Sequence, residues 1–132
     1  MITEDYVSLE TAKLLKEKGF DEATNRYYNA QYDQIRTVSD TFMWHWNDEE
    51  FMKRVLMEGA IAIPTLQMAM KWLRENYNIH IEVRYFPAPN IYRYVIIHSP
   101  ITFENIGSHP QYFNTYEEAC EAAIKYCLEN LI

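Results

Sequence analysis

The sequence predicts an α+β fold: a single domain over residues 1–132, built from a mostly antiparallel sheet of about four strands and three to four helices. Three stretches carry this prediction. Leu66, Ala69, Met70, Leu73 and Tyr77 recur at helical spacing, with Trp72 beside them. Residues 79–98 alternate at period two on either side of Pro87-Ala88-Pro89-Asn90, which reads as a β-hairpin. Thr115-Tyr116-Glu117-Glu118 has the form of a capping box, and Cys120, Ala123, Ile124, Cys127, Leu128 and Leu131 continue as an apolar stripe. Together they form a C-terminal α-β-β-α unit in which two amphipathic helices cover one face of a hairpin.

Taken in order, the chain first shows a short helix. Ser8 suits the N-cap and Glu10 the first turn; Leu9, Ala12 and Leu15 form its apolar side. Gly19 fits the position just past its end, followed by apolar Phe20. A helix-turn-helix reading fails, because the next stretch is Tyr-rich and strand-like where a recognition helix should stand. Residues 26–46 read as an irregular two-strand hairpin broken at Ser39-Asp40. Within it Phe42, Trp44 and Trp46 alternate onto one face. Asn47-Asp48 caps a helix predicted over Glu49–Glu58, stopped by Gly59. Residues 60–63 are apolar and extended, and Pro64 leads into the helix at Leu66.

The hairpin's register follows from its pattern. Pairing Phe86 with Ile91 sets Tyr85 against Tyr92, Val83 against Tyr94 and Ile81 against Ile96, so the apolar sets share one side. The other side carries His80, Glu82 and Arg84 against Ile97, Val95 and Arg93. Residues 99–114 read as a long connection, a length often associated with function.

Three segments, YVSLETAKLLKEKGFDE, IPTLQMAMKWLRENYNIHIEV and FNTYEEACEAAIKYCLENLI, resemble a family of short uncharacterised proteins carried by phages and prophage-like elements of gut anaerobes. The resemblance covers most of the chain and leaves out the region from about Asn25 to Gly59. It implies a mobile-element context and a cytoplasmic role. It brings no activity, cofactor or catalytic residue to this chain.

Composition narrows the function further. With 48% hydrophobic and 15% aromatic residues the chain is an ordered globular protein. A net charge of -7 disfavours nucleic acid as a partner. No apolar run reaches the length of a membrane span, and no charged-then-apolar leader opens the chain. Cys120 and Cys127 stand about 10.5 Å apart along one helix, too far for a disulfide. Both fall on the apolar stripe, so they read as reduced core residues of a cytoplasmic protein.

Catalytic patterns are missing. His45, His80, His98 and His109 lie outside HExxH, neither cysteine belongs to CxxC, and there is no P-loop, GxGxxG or GxSxG. The expectation is therefore no metal and no cofactor. Two enzyme-like arrangements stay open: Glu104 with His109 in the long connection, and His45 with Asp48. The feature that asks for an explanation is Arg84 opposite Arg93, since directly opposed like charges on a sheet are unfavourable. Diagonal pairing with Glu82 would relieve it, as would an anionic ligand or an acidic partner. The sequence thus favours a non-enzymatic protein-interaction module whose surface is the outer hairpin face, with His80, Arg84 and Arg93 as binding residues. A homodimer through the same face and an anion or nucleic-acid reader are the alternatives.

Overall fold

The computed structural model describes residues 2–104 and 112–132. The α+β class is as the sequence predicts. The described residues form four α-helices and two antiparallel sheets of three strands. They gather into two compact units, one of Tyr6–Thr65 and one of Leu66–Ile132 with the first residues up to Asp5.

In the Tyr6–Thr65 unit, α1 spans Leu9–Glu17. Ser8 Oγ accepts the Thr11 N–H at 3.2 Å, the capping role its position predicts. Gly19 takes φ +93°, which lets the Phe20 N–H return to the Leu15 carbonyl and buries the Phe20 ring. Strand β1 (Arg26–Asn29) lies between β2 (Gln34–Thr37) and β3 (Ile61–Ala62). The strand character read for residues 41–46 is not realised. Ser39 Oγ lies 2.8 Å from Thr41 Oγ1, Asn25 Nδ2 donates to Asp40 Oδ1, and the Phe42 N–H closes a 3-10 turn onto Ser39. Small polar side chains satisfy one another locally and outcompete a ladder. The chain rejoins β-type pairing only where Thr24 and Trp44 exchange N–H···O bonds of 3.0 and 3.3 Å.

Helix α2 spans Glu49–Arg54 and ends short of the expected Glu58. The Leu56 N–H bonds the Lys53 carbonyl and the Met57 N–H bonds the Met52 carbonyl. These are the two bonds of a Schellman ending, with Leu56 in the left-handed position (φ 59°) that glycine usually holds. Gly59, which the sequence marks as the stop, serves a later turn at φ +84°. Leu56 is 83% exposed, so its side chain gains little burial in return for this conformation. Leu56→Gly is expected to raise the unfolding free energy by roughly 1 kcal/mol in urea titrations. A loss of stability would show that the exposed leucine holds a contact.

In the other unit, α3 (Leu66–Tyr77) and α4 (Tyr116–Asn130) pack on one side of a sheet ordered β4-β5-β6. The strands are β4 (His80–Phe86), β5 (Ile91–His98) and β6 (Ile101–Glu104). The register of β4 and β5 is the expected one throughout, from Phe86↔Ile91 to His80↔Ile97. Ile79, Tyr94 and Ile96 are buried on the helix side, with Leu73, Ile124 and Leu128 in the same core. Thr115 Oγ1 accepts the Glu118 N–H at 3.1 Å, as the capping box predicts. Glu118 Oε2 reaches back one residue further than expected, to the Asn114 N–H at 3.3 Å. Strand β6 is an addition to the predicted α-β-β-α unit; Ile101-Thr102-Phe103 carries the β-branched and aromatic signal for it.

Candidate functional site

The outer face of the β4–β5–β6 sheet holds all three residues singled out by the sequence, and they behave differently. His80 is exposed at the end of β4, with Nε2 2.9 Å from Asn78 Oδ1. Arg84 is directly opposite Arg93, and its Nη2 lies 3.4 Å from Glu82 Oε2, both side chains about half exposed. The repulsion on Arg84 is thus relieved along its own strand. An exposed pair of this kind contributes little to stability.

Among the described residues Arg93 has no carboxylate partner. It stands in the middle strand, half-buried, and its guanidinium carbon lies 4.8 Å from the centre of the Tyr112 ring and 5.9 Å from that of Phe86. Its Nε is shut off from solvent and has no hydrogen-bond partner among the described residues. A buried N–H of a cation left unbonded is costly, whereas aromatic faces stabilise only the charge. Geometry explains how Tyr112 arrives there. Tyr92 and Phe113 exchange N–H···O bonds of 2.8 and 3.0 Å, so the chain rejoins the edge of β5 at Phe113. Phe113 turns toward Tyr94, with ring centres 6.0 Å apart, and alternation sends Tyr112 to the opposite face, over Arg93.

Alternation along β4 puts Phe86 at the end of this face, whereas Tyr112 was not foreseen from the sequence. The signal for Tyr112 was the Tyr-Phe pair just before the α4 cap, which reads as loop unless the bridge to Tyr92 is known. Val95 completes the face, only 3% exposed between its cross-strand neighbours.

No family model matches the chain, and no curated protein or solved structure matches it either. The residues themselves must therefore carry the functional argument.

The other candidates offer less. His45 Nδ1 is 2.7 Å from the Asp21 carbonyl and 3.6 Å from its carboxylate. Asp48 is occupied elsewhere, accepting the Phe51 N–H at 3.1 Å as the α2 cap. The structure therefore gives His45 a different carboxylate from the one the sequence suggested. His109 and the Glu104 side chain lie outside the described residues. Among the described residues no three His, Cys, Asp or Glu side chains are grouped to hold a metal ion. Burial pushes the Cys120 thiol up to about 11 and the Cys127 thiol up to about 12, which removes them as nucleophiles at neutral pH.

A cleft of about 580 Å³ opens in the Tyr6–Thr65 unit, beside Lys16, Phe20 and Asn47. Its polar groups already hold the fold together. Lys16 Nζ donates to the Ala60 carbonyl at 3.0 Å, and Asn47 bonds the Phe20 carbonyl at 2.7 Å and the Ala62 N–H at 2.9 Å. In the same unit Trp46 stacks on Tyr27 at 3.9 Å, and Trp44, 39% exposed, meets both Trp46 and Phe51.

Proposed function

We propose that the protein is a non-enzymatic interaction module, an accessory protein of a phage-like element, and that it captures a protein partner on the outer face of the β4–β5–β6 sheet. The supporting observation is Arg93, a cation 4.8 and 5.9 Å from two aromatic ring centres whose buried Nε has no acceptor among the described residues. Guanidinium presents a planar fork that binds carboxylate in two parallel bonds, and such bonds are strongest where water is excluded. Aromatic residues and arginine around a desolvated centre are also the usual composition of a binding hot spot. The mobile-element context comes from the three segments that resemble phage-borne proteins.

The partner this face fits presents one carboxylate flanked by apolar side chains: the carboxylate for Arg93, the apolar groups for the exposed rings of Phe86 and Tyr112. Arg84 and His80 lie at the exposed margin, where they steer association rather than anchor it.

Calorimetric titration with the peptide acetyl-Leu-Glu-Leu-amide tests this. Wild type is expected to bind it, with affinity falling at least tenfold in Arg93→Ala and several-fold in Arg93→Lys, which keeps charge but loses the fork. The Gln analogue of the peptide should not bind. Equal affinity of wild type and Arg93→Ala would overturn the assignment.

A further inference from the structure

Strand β4 is a free edge. It is the outer strand of the β4-β5-β6 sheet, seven residues long, and nothing among the described residues pairs with its other side. His80, Glu82, Arg84, Tyr85 and Phe86 are exposed along it. The other sheet ends on shorter strands, four residues in β2 and two in β3. Protected edges carry charged side chains, Lys above all, or Pro or a bulge, or are covered; β4 has Glu82 and Arg84, which pairing with a complementary edge would satisfy, no Lys or Pro, and no bulge against β5.

We propose that β4 pairs antiparallel with β4 of a second copy of this chain, about a two-fold axis through Val83, joining the two sheets into one of six strands. The charges select this arrangement. A two-fold centred on Val83 sets each Glu82 opposite the other copy's Arg84, twice, and sets Ile81 against Tyr85 and His80 against Phe86. Shifting the centre to Glu82 opposes two glutamates; shifting it to Arg84 opposes two arginines. Of these three registers that keep both helix layers on one side of the sheet, only that centred on Val83 is complementary. It also gives Arg84, which faces Arg93 within its own sheet, a carboxylate across the junction. This inference concerns the edge and does not rest on the reading of Arg93.

Light scattering of the full chain, with directed cross-linking, tests it. Wild type is expected at twice the 15.8 kDa of one chain. Glu82→Arg opposes like charges at both ends of the junction and should return the mass to that of one chain. The exchange Glu82→Arg with Arg84→Glu restores the complement and should restore the dimer. Val83→Cys meets its own copy at the axis and should form a covalent dimer on mild oxidation, with the two native thiols buried. A wild type that is monomeric at 0.1 mM, a concentration chosen to favour weak association, would overturn the proposal. So would a dimer that survives Glu82→Arg and fails to cross-link through Val83→Cys.

Discussion

Trp46→Ala should lower the unfolding free energy of the protein by about 3–5 kcal/mol, the usual range for deleting a buried large aromatic. Trp46 is 4% exposed, stacks on Tyr27 at 3.9 Å with planes 16° apart, and donates its indole N–H to the Thr24 carbonyl at 2.7 Å. It therefore ties residues 44–46, which belong to no sheet, to β1 and its approach. Truncation removes the stack, the buried area and the hydrogen bond together. Trp46→Phe keeps a ring against Tyr27 and loses the donor, so its cost should be smaller, about 1–3 kcal/mol. Urea unfolding followed by circular dichroism measures both. A cost below 1 kcal/mol for Trp46→Ala would show that the aromatic cluster does not hold this unit.

Alkaline pH should unfold the protein in a window set by its two thiols. Burial raises Cys120 to about 11 and Cys127 to about 12, against about 8.5 for a free cysteine. In the unfolded chain both ionise near that free value, whereas the folded chain keeps them protonated. Between about pH 9 and 12 the folded state binds more protons, so stability falls as pH rises; below that window the full contribution is present. Both thiols lie in the fully buried stripe of α4, so the loss from each adds to that from the other. Burial also raises Tyr94, which acts in the same direction. Urea midpoints for wild type and for Cys120→Ala/Cys127→Ala from about pH 8 to about pH 12, which brackets that window, check this. The double variant should lose markedly less stability over that span. Parallel curves would place the alkaline sensitivity in other groups.

Where pattern and packing agree, the sequence was legible. The β4–β5 register followed from the apolar alternation, because a slip by one residue would have exposed Ile81, Val83, Tyr94 and Ile96 together. The caps at Ser8, Asp48 and Thr115 were readable because each is a short side chain placed just before a helical repeat. Illegible stretches were those decided by long-range or backbone events. The end of α2 depends on Leu56 accepting a left-handed conformation, which no propensity favours. Thr41 and Phe42 look β-prone one at a time but are drawn into a 3-10 turn with Ser39 and Asp40. At the candidate site, Arg84 opposite Arg93 was visible from the register alone. That Arg93 would meet Tyr112 required the bridge from Tyr92 to Phe113, a contact between residues far apart in sequence.

The proposed function requires Arg93 to bond a carboxylate of the partner through its guanidinium. Heteronuclear NMR of the arginine side chains reads this out, because each Nε–Hε group gives its own signal. On addition of acetyl-Leu-Glu-Leu-amide, the Arg93 signal should move downfield in a saturable manner, with Arg84 shifting less and Arg26, Arg36, Arg54 and Arg74 unmoved. An Arg93 signal that stays in place while the exposed arginines shift uniformly would contradict the account.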